Sequence, residues 1–304
     1  MNAGGPHAGS ATDPVFQGRE FPFTRHDFRR IAGMLRADAG IVLSETKAPL
    51  VYARLVRRLR ALGLESFARY CALVETETGG DERQTMMSAL TTNVTAFFRE
   101  PHHFAHLKTR VLPRAIEAAR RGGRLRIWSA GCATGEEAYS IALSILEVMP
   151  DASRFDVRVL ATDINAAVLA VAEAGEYDEA ALAPVARRLR ADWFTATRAG
   201  PGRGRFRVGD ELRRLVAFRP LNLLSSWPMT AAYHAVFCRN VLIYFDEADQ
   251  AGVQQRIKSL LAPGGRLYLG AAERVRVPDG LAADGVTVHR LQDDDTRADL
   301  VETC

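Results

Sequence analysis

The chain has 304 residues, 47% of them hydrophobic and 25% charged, and carries a formal net charge of +4. This composition is typical of a soluble globular protein, and no apolar run approaches the roughly 20 residues of a membrane span, which excludes membrane insertion. Four widely spaced cysteines without a CxxC pair exclude a disulfide framework and predict no metal site. The N-terminus lacks the basic-then-apolar layout of a signal peptide, so we expect a cytoplasmic protein.

The N-terminal third is predicted to be helical and basic. Residues 1–20 are rich in Gly, Ala, Ser and Pro, which predicts a flexible tail. From 21 to 93 the apolar spacing is that of short helices broken by glycines, so we expect an all-α domain. Residues 21–70 hold ten Lys or Arg against four Asp or Glu. This excess of positive charge indicates an anionic partner.

One predicted helix, from about 47 to 62, has a basic face and an apolar face. At roughly 100° per residue, Lys47, Arg54 and Arg58 fall in one stripe. Arg57 lies beside that stripe, and the helix itself carries no acid that could pair with these side chains. Two interpretations are open at this point: a face that is simply solvated, or a docking surface for an acidic helix or for phosphates.

A strand, a glycine turn and a helix follow one another in LRIWSAGCATGEEAYSIALSIL, which spans 125–146. Gly131 and Gly135 would let the backbone pass close to a ligand at the start of the helix. Glu136 and Glu137 would repel a pyrophosphate there, but they suit a ligand that carries an ammonium and a sulfonium. This favours S-adenosylmethionine over a dinucleotide. The alternative is that the two glutamates only complement the helix dipole.

A second candidate anchor is Asp163, which ends the apolar run VRVLATD. An acid at the end of a second parallel strand can bind ribose hydroxyls, so the glycine turn and this acid together favour a nucleoside pocket. On its own, Asp163 could equally be the N-cap of the helix that follows.

Strands and helices alternate through the rest of the chain, which predicts a doubly wound parallel sheet with helices on both faces. The predicted helices cover 103–120, 136–149, 166–174 and 247–261, and the predicted strands cover 124–129, 156–162, 234–238 and 266–271. The alternation lapses at about 177–220, where glycines separate apparent strands at 206–208 and 215–218. A small antiparallel β-insertion fits this stretch best. Residues 292–304 form an acidic tail.

Six motifs stand in order along the chain: TTNVTAFFREPHHF (91–104), WSAGCATGEEAYSIA (128–142), ATDIN (161–165), PLNLL (220–224), FCRNVLIYFD (237–246) and LAPGGRLYLG (261–270). From about 21 to 291 the chain resembles the CheR family of chemotaxis receptor methyltransferases. The resemblance implies a class I S-adenosylmethionine-dependent methyltransferase domain at 94–291, Rossmann-like and doubly wound, with the β-insertion at 177–220. It implies that the all-α domain at 21–93 docks the receptor.

The resemblance also implies the reaction. A methyl group would pass from S-adenosylmethionine to glutamate side-chain carboxylates on the cytoplasmic helices of transmembrane chemoreceptors. The products would be S-adenosylhomocysteine and the glutamyl methyl esters used in sensory adaptation. A cytoplasmic protein would then be recruited to membrane receptor arrays, without membrane insertion and without binding nucleic acid. We expect a monomer.

The resemblance implies the residues of the site. Together with Gly131 of the glycine turn, the cofactor would be held by Asn93, Thr95, Arg99, Glu136, Glu137, Asp163, Asn222, Leu223, Arg239 and Asn240. Arg99 would orient carboxylates of the cofactor or the substrate, and Tyr244 would lie near the methyl group. From the residues alone, Arg99 could instead pair only with Glu100, and Tyr244 could only pack.

The basic helix gains a role by the same resemblance. Receptor docking would fall to Arg54, Arg57 and Arg58, and by extension to Lys47 and Arg60. In some members the β-insertion also grips a pentapeptide at the receptor C-terminus. The loop ATRAGPGRGRF (196–206) is shorter than expected of such members, which leaves this tethering open.

Two other functions are compatible with parts of the sequence. A module that senses S-adenosylmethionine without catalysis would need the same pocket, but the full polar set argues for turnover. An RNA methyltransferase would explain a basic domain beside a methyl donor. Against it, the N-terminal apolar positions are those of a core, and no aromatic stacking platform is evident.

Overall fold

The computed structural model describes residues 20–76, 79–198, 204–230 and 232–292. The chain divides into two compact units, Met1–Thr92 and Asn93–Cys304. The predicted N-terminal and acidic C-terminal tails lie outside the described residues, except for Glu20 and Gln292. Five residues of the arginine-rich loop, 199–203, also lie outside them. The expectation about a receptor C-terminal peptide bound to the β-insertion concerns this loop.

The first unit is helical. Its helices are α1 (Arg25–Ala39), α2 (Ala48–Leu62), α3 (Phe67–Val74) and α4 (Gly80–Leu90). Helix α1 begins with a capping box, in which Asp27 Oδ2 accepts from the Thr24 N–H at 2.9 Å and Thr24 Oγ1 accepts from the Asp27 N–H at 3.1 Å. Apolar residues at helical spacing, such as Leu55 and Leu59 of α2, are fully buried. The predicted all-α fold of this region is confirmed.

The described residues of the second unit form two sheets. Its helices are α5 (Pro101–His106), α6 (Leu112–Arg120), α7 (Glu136–Val148), α8 (Ala166–Ala174), α9 (Arg187–Trp193), α10 (Asp210–Leu215) and α11 (Glu247–Ser259). Its strands are β1 (Leu125–Ala130), β2 (Val157–Asp163), β3 (Glu176–Asp178), β4 (Phe194–Arg198), β5 (Arg205–Val208), β6 (Val216–Pro220), β7 (Tyr233–Cys238), β8 (Leu261–Leu269), β9 (Leu281–Gly285) and β10 (Val288–Leu291).

The larger sheet has the strand order β6-β2-β1-β7-β8-β10-β9. The first five strands pair in parallel, and β10 pairs antiparallel with both β8 and β9. Successive residues of a strand point to opposite faces of the sheet. Accordingly Ile127 of β1 packs in one buried cluster with Ile141 of α7, while Trp128 packs in another with Val253 of α11. Helices therefore cover both faces, and the predicted doubly wound architecture is confirmed.

Three details of the sequence analysis need correction. The sequence predicts the strand 215–218 within the β-insertion, but residues 216–218 belong to β6, which pairs in parallel with β2 at the edge of the larger sheet. The antiparallel sheet consists of β3, β5 and β4, all within 176–208. The predicted helix at 103–120 is divided by a wider helical turn at Leu107–Val111, and the antiparallel strands β9 and β10 were not predicted.

The remaining composition-based expectations concern membrane segments and cysteines. Among the described residues, none of the helices has the length and apolar character needed to cross a membrane. Cys71, Cys132 and Cys238 are buried free thiols. Burial raises the pKa of each of these thiols, so they are held in the protonated form.

Candidate functional site

Predicted cofactor residues meet at the carboxyl edge of the parallel strands. The order β2-β1-β7 places β1 where the winding of the sheet reverses, and ligands of open α/β sheets bind in the crevice outside this point. The residues that end or follow the strands here are Gly131 (β1), Asp163 (β2), Asn222 (β6) and Arg239 (β7). Four strand ends therefore contribute to one edge.

Asp163 fastens the turn after β1 to the end of β2. Its Oδ2 accepts from the Ala133 N–H and its Oδ1 from the Asn165 N–H, both at 2.9 Å. The Gly131 N–H donates to the Thr162 carbonyl at 2.7 Å, which closes the same turn. Burial raises the pKa of the Asp163 carboxyl. The helix after β2 is capped by Asn165, so the interpretation of Asp163 as its N-cap is wrong.

The two adjacent glutamates point to different partners. Glu136 Oε2 accepts from Thr134 Oγ1 at 2.7 Å, within its own turn. Glu137 Oε1 accepts from Ser129 Oγ of β1 at 2.7 Å, and its Oε2 accepts from Arg239 Nη1 at 2.9 Å. Burial raises the pKa of both carboxyls, although the Arg239 charge opposes this at Glu137. Both have specific partners, which goes beyond complementing a helix dipole.

Arg239 connects several parts of the site. Besides Glu137, its Nη2 donates to the Arg99 carbonyl at 2.6 Å and lies 3.3 Å from Glu100 Oε2. The guanidinium carbon stands 5.8 Å from the centre of the Phe104 ring. The side chain is only 1% exposed. A buried cation is thus held by two carboxylates, a carbonyl and an aromatic face.

Arg99, in contrast, presents its guanidinium to solvent. Its Nη1 donates to the Val94 carbonyl at 3.0 Å, and the side chain is exposed. Glu100 lies against Arg239, so the interpretation that Arg99 only pairs with Glu100 is wrong. The neighbours of Arg99, Phe98 and Glu100, have φ values of 53° and 57°. Left-handed backbone at non-glycine residues is uncommon and concentrates at functional sites.

The segment before Arg99 carries two further predicted cofactor residues. Asn93 and Thr95 are half-buried in an extended stretch. The Phe98 N–H donates to Ser140 Oγ of α7 at 2.9 Å, which ties this stretch to the helix that begins with the glutamates. The part of the predicted motif around Phe98 is therefore anchored to α7.

The segment after β6 also joins this edge. The Leu221 N–H donates to the Asp163 carbonyl at 2.9 Å, and Asn222 Oδ1 accepts from the Leu224 N–H at 2.9 Å. Leu223 is buried against the cluster that holds Trp128. The contact of Leu221 brings the segment that carries Asn222 and Leu223 to the end of β2; their contact with a cofactor stays a prediction.

Tyr244 lies in the short helical turn Leu242–Tyr244, four residues beyond Asn240. Its backbone N–H donates to the Val241 carbonyl at 3.2 Å, and its side chain is half-buried. Asn240 has a left-handed φ of 60°. The position of Tyr244 follows from this loop; its proximity to the transferred methyl group stays a prediction.

Sequence reasoning missed Glu273, a buried carboxylate that accepts hydrogen bonds from the backbone of the loop after β7. Its one signal in the sequence is an acid three residues after Gly270, just beyond the end of β8. The carboxyl end of β8 lies at the same edge of the sheet as that of β7.

Three side chains next to Arg239 have ligand atoms close enough to suggest a metal. Glu100, His102 and His103 bring such atoms within 4.8 Å of one another. However, Arg239 lies 3.3 Å from the Glu100 carboxylate, and its positive charge opposes a metal cation at that oxygen. Burial lowers the pKa of His103 to about 3, and its Nε2 is within 2.9 Å of Thr287 Oγ1. We therefore assign no metal to this cluster.

Two arginines of the predicted docking face have partners outside their helix. Arg54 Nη1 donates to the carbonyls of Leu90 and Thr91 at 2.7 and 2.9 Å, and so caps the end of α4. Arg58 Nε donates to Glu82 Oε1 at 3.0 Å, and the same oxygen accepts from the Tyr70 hydroxyl at 2.8 Å. Both side chains therefore stabilise the packing of α2 within the first unit.

The other basic residues of this face differ in exposure and pairing. Arg60 forms an exposed ion pair with Glu20. Lys47 and Arg57 are exposed and make no side-chain hydrogen bond or ion pair with the residues that the structure describes. The absence of an acid on α2 did not reveal the partners of Arg54, Arg58 and Arg60, because those partners come from other segments.

Comparison with known proteins identifies relatives over most of the chain. Residues 26–91 match the CheR methyltransferase all-alpha domain, and residues 93–285 match the CheR methyltransferase SAM binding domain. A probable chemotaxis protein methyltransferase of Rhizobium etli is 50% identical over 242 residues, covering 80% of this chain and 90% of that protein. Chemotaxis protein methyltransferase 2 of Pseudomonas aeruginosa is 44% identical over 267 residues, covering 87% and 92%. The chemotaxis protein methyltransferase of Escherichia coli is 41% identical over 270 residues, covering 88% and 91%.

Proposed function

Because the chain belongs to the CheR methyltransferase family, we propose that it methylates glutamate side chains on the cytoplasmic helices of chemoreceptors, giving glutamyl methyl esters. The family assignment makes it an S-adenosylmethionine-dependent methyltransferase. The observation that carries the finer proposal is the presence of both family domains, in order, over 26–91 and 93–285. The second domain supplies the methyl donor site, and the first supplies a surface for the acceptor.

The residues at the carboxyl edge fit the cofactor chemically. S-adenosylmethionine carries an ammonium, a sulfonium and ribose hydroxyls, and supplies an electrophilic methyl group when bound. A carboxylate has about four lone-pair sites, so Asp163 can still accept from ribose hydroxyls beside its two backbone donors. We assign the ammonium to the glutamate pair, in which Glu137 accepts from Ser129 Oγ and Arg239 Nη1. Glu136 is turned back onto Thr134.

The proposed reaction demands alignment more than acid–base chemistry. A glutamate with an ordinary pKa of about 4.3 is already ionised at neutral pH, so no strong general base is needed for its attack on the methyl group. Correct orientation of two reactants can remove about 7–11 kcal/mol of the barrier. We assign the orientation of a carboxylate to the exposed guanidinium of Arg99, and contact near the methyl group to Tyr244.

The proposed reaction is tested by the stability of the transferred label. The protein would be incubated with methyl-labelled S-adenosylmethionine and receptor-rich membranes, and the product treated with mild alkali. We expect the label to be released as methanol, because a carboxyl methyl ester is hydrolysed under these conditions. Membranes without receptors and total RNA serve as controls and should remain unlabelled. Base-stable label on the receptor would contradict glutamate methylation, and label on RNA would favour the alternative function.

For acceptor docking, we propose that Arg57 and Lys47 contact the acidic receptor helix. They are the exposed members of the basic face that lack partners among the described residues, so their charges are available to a binding partner. Arg54 and Arg58 act indirectly, since their guanidinium groups hold α2 against α4. The proposed docking residues are therefore Arg57 and Lys47, and Arg54 and Arg58 support the helix that carries Arg57.

Charge reversal separates these roles. Arg57→Glu should raise KM for the receptor about fivefold, most strongly at low salt, with the free energy of unfolding unchanged. Arg58→Glu should lower the free energy of unfolding by about 2 kcal/mol, because it places a second carboxylate against the largely buried Glu82. Arg69→Glu, in which an exposed arginine of α3 is reversed, is the matched control and should alter neither quantity. Equal receptor KM values for Arg57→Glu and Arg69→Glu would contradict the docking proposal.

A further inference from the structure

We propose that Glu273 is a positioning residue for methyl transfer: its carboxylate holds the loop 239–242 in the conformation that presents Asn240 and Tyr244 to the cofactor. This inference rests on the proposed function, which assigns Tyr244 to the site; Asn240 is one of the cofactor residues that the family resemblance implies. Glu273 itself would touch neither the cofactor nor the substrate.

The carboxylate of Glu273 is fully occupied by backbone donors. Its Oε1 accepts from the N–H groups of Val241 and Leu242, at 2.9 and 2.8 Å. Its Oε2 accepts from the N–H groups of Asn240 and Gly270, at 2.9 and 2.7 Å. The residue is 7% exposed. Four hydrogen bonds to an anion at these distances form a strong and directional clamp.

The loop depends on this clamp because three successive N–H groups point to one side. Asn240 adopts a left-handed φ of 60°, which turns the chain away from the extended path of β7. Without this acceptor, the N–H groups of Asn240 and Val241 would lose their partner at half-buried positions, and that of Leu242 at a buried one. The turn that carries Tyr244 begins at once, with hydrogen bonds from Tyr244 N–H to Val241 and from Phe245 N–H to Leu242.

Two glycines leave room for the clamped loop. A Cβ atom on Gly270 would stand 2.6 Å from Asn240 Nδ2 and 3.0 Å from both the Asn240 backbone nitrogen and Glu273 Oε2, so these groups would have to shift. A Cβ atom on Gly131 would overlap Cγ2 of Val241. The ends of β1, β7 and β8 are thus packed around one loop, and a small side chain at either glycine would displace it.

Loss of the Glu273 hydrogen bonds should lower activity, because the reacting groups must be placed precisely. Glu273→Gln replaces one carboxylate oxygen by an NH₂ group, which cannot accept from two backbone N–H groups. The loop would shift, and a misplacement of about 1 Å at a reacting centre can lower the rate by about 100-fold. Glu273→Asp keeps the charge but is shorter by one methylene, so it should fall between wild type and Glu273→Gln. Gly270→Ala should disturb the same loop without altering the carboxylate.

A control residue distinguishes positioning from general stability. Asp27 is also a buried carboxylate, 2% exposed, that accepts from the Thr24 N–H and Oγ1, but it lies in the first unit. Asp27→Asn should lower the melting temperature while S-adenosylmethionine binds as in wild type. The comparison therefore separates loss of fold from loss of site geometry.

The experiment measures the Kd for S-adenosylmethionine by calorimetry, together with kcat and receptor KM, for the full chain and the four variants. We expect Glu273→Gln and Gly270→Ala to weaken cofactor binding at least about tenfold and to lower kcat, with receptor KM unchanged. Wild-type affinity in both variants would overturn the inference, as would an equal loss of affinity in Asp27→Asn. If Glu273→Gln does not fold, the affinities of Glu273→Asp and Gly270→Ala for S-adenosylmethionine are compared with those of wild type and Asp27→Asn in the same way. Failure of the proposed function would look different: wild type would bind the cofactor without labelling receptor carboxylates.

Discussion

Replacing Arg239 with methionine should lower the free energy of unfolding by about 3–5 kcal/mol and abolish binding of S-adenosylmethionine. The variant removes the cation from between two carboxylates, Glu137 and Glu100, which lie 2.9 and 3.3 Å from its Nη atoms. Burial raises the pKa of Glu137 even beside this arginine, so desolvation outweighs the attraction within the pair. The pair is therefore no large source of stability, but breaking it leaves charge buried without compensation.

The loss of unfolding free energy in Arg239→Met should depend on pH, and its direction can be predicted. Without Arg239 the pKa of Glu137 should rise further above its value in the unfolded chain. A group with a raised pKa in the folded state binds more protons there, so lowering the pH favours the folded state of the variant. The difference in unfolding free energy between wild type and Arg239→Met should therefore narrow as the pH falls from about 8 to about 5. Urea unfolding at several pH values measures it.

Two further variants test whether stranded buried charge explains the lower stability of Arg239→Met. Glu137→Gln combined with Arg239→Met removes one of the stranded charges and should recover part of the stability, but not cofactor binding. Arg276→Met is the matched control: it breaks an ion pair with Glu247 at the surface, 3.0 Å long and with Glu247 81% exposed. That loss should stay below about 1 kcal/mol. A similarly small loss of unfolding free energy for Arg239→Met would contradict the role of Arg239 as the buried cation that compensates Glu137 and Glu100.

The larger sheet could be predicted from the sequence because its signal is local. Apolar runs alternate with helical spacing, and short turns between them favour a parallel, doubly wound arrangement. The apolar pattern does not show which strand lies next to which in the sheet. The run at 215–218 is similar whether it pairs within an insertion or in parallel with β2, and only the structure supplies that partner. The antiparallel strands β9 and β10 carry little apolar periodicity and had no comparable signal.

The site was predictable where chemistry follows the end of a strand. Asp163 stands just beyond a predicted strand and the glutamate pair follows the glycine turn after another, and parallel strands bring such positions to one edge. Arg239 enters through the family resemblance alone. Side-chain partnerships over long separations were not predictable. Arg58 meets Glu82 from another helix, 24 residues away, and Glu273 meets the loop after β7 more than 30 residues away. Neither has a spacing that a linear pattern reveals.

Replacing Arg99 with alanine should lower kcat for receptor methylation by about 100- to 1000-fold, the loss typical of removing one positioned charge donor. The free energy of unfolding should change by less than about 1 kcal/mol, because the guanidinium is exposed and its hydrogen bond is to the Val94 carbonyl. The backbone carbonyl of Arg99, which binds Arg239, is retained in the variant. The side chain is thus tested apart from the buried network behind it.

The pattern of kinetic constants identifies which carboxylate Arg99 orients. If it holds the carboxylate of the cofactor, Arg99→Ala raises the Kd for S-adenosylmethionine. If it holds the acceptor, the Kd is unchanged, kcat falls and the receptor KM rises. Arg99→Lys keeps a charge but loses the planar fork, so its activity should be intermediate. Arg188→Ala, at a side chain that is 91% exposed, is the control and should leave all constants unchanged. Turnover by Arg99→Ala equal to that of Arg188→Ala would remove Arg99 from the proposed mechanism and leave alignment of the carboxylate to the loop that carries Asn240 and Tyr244.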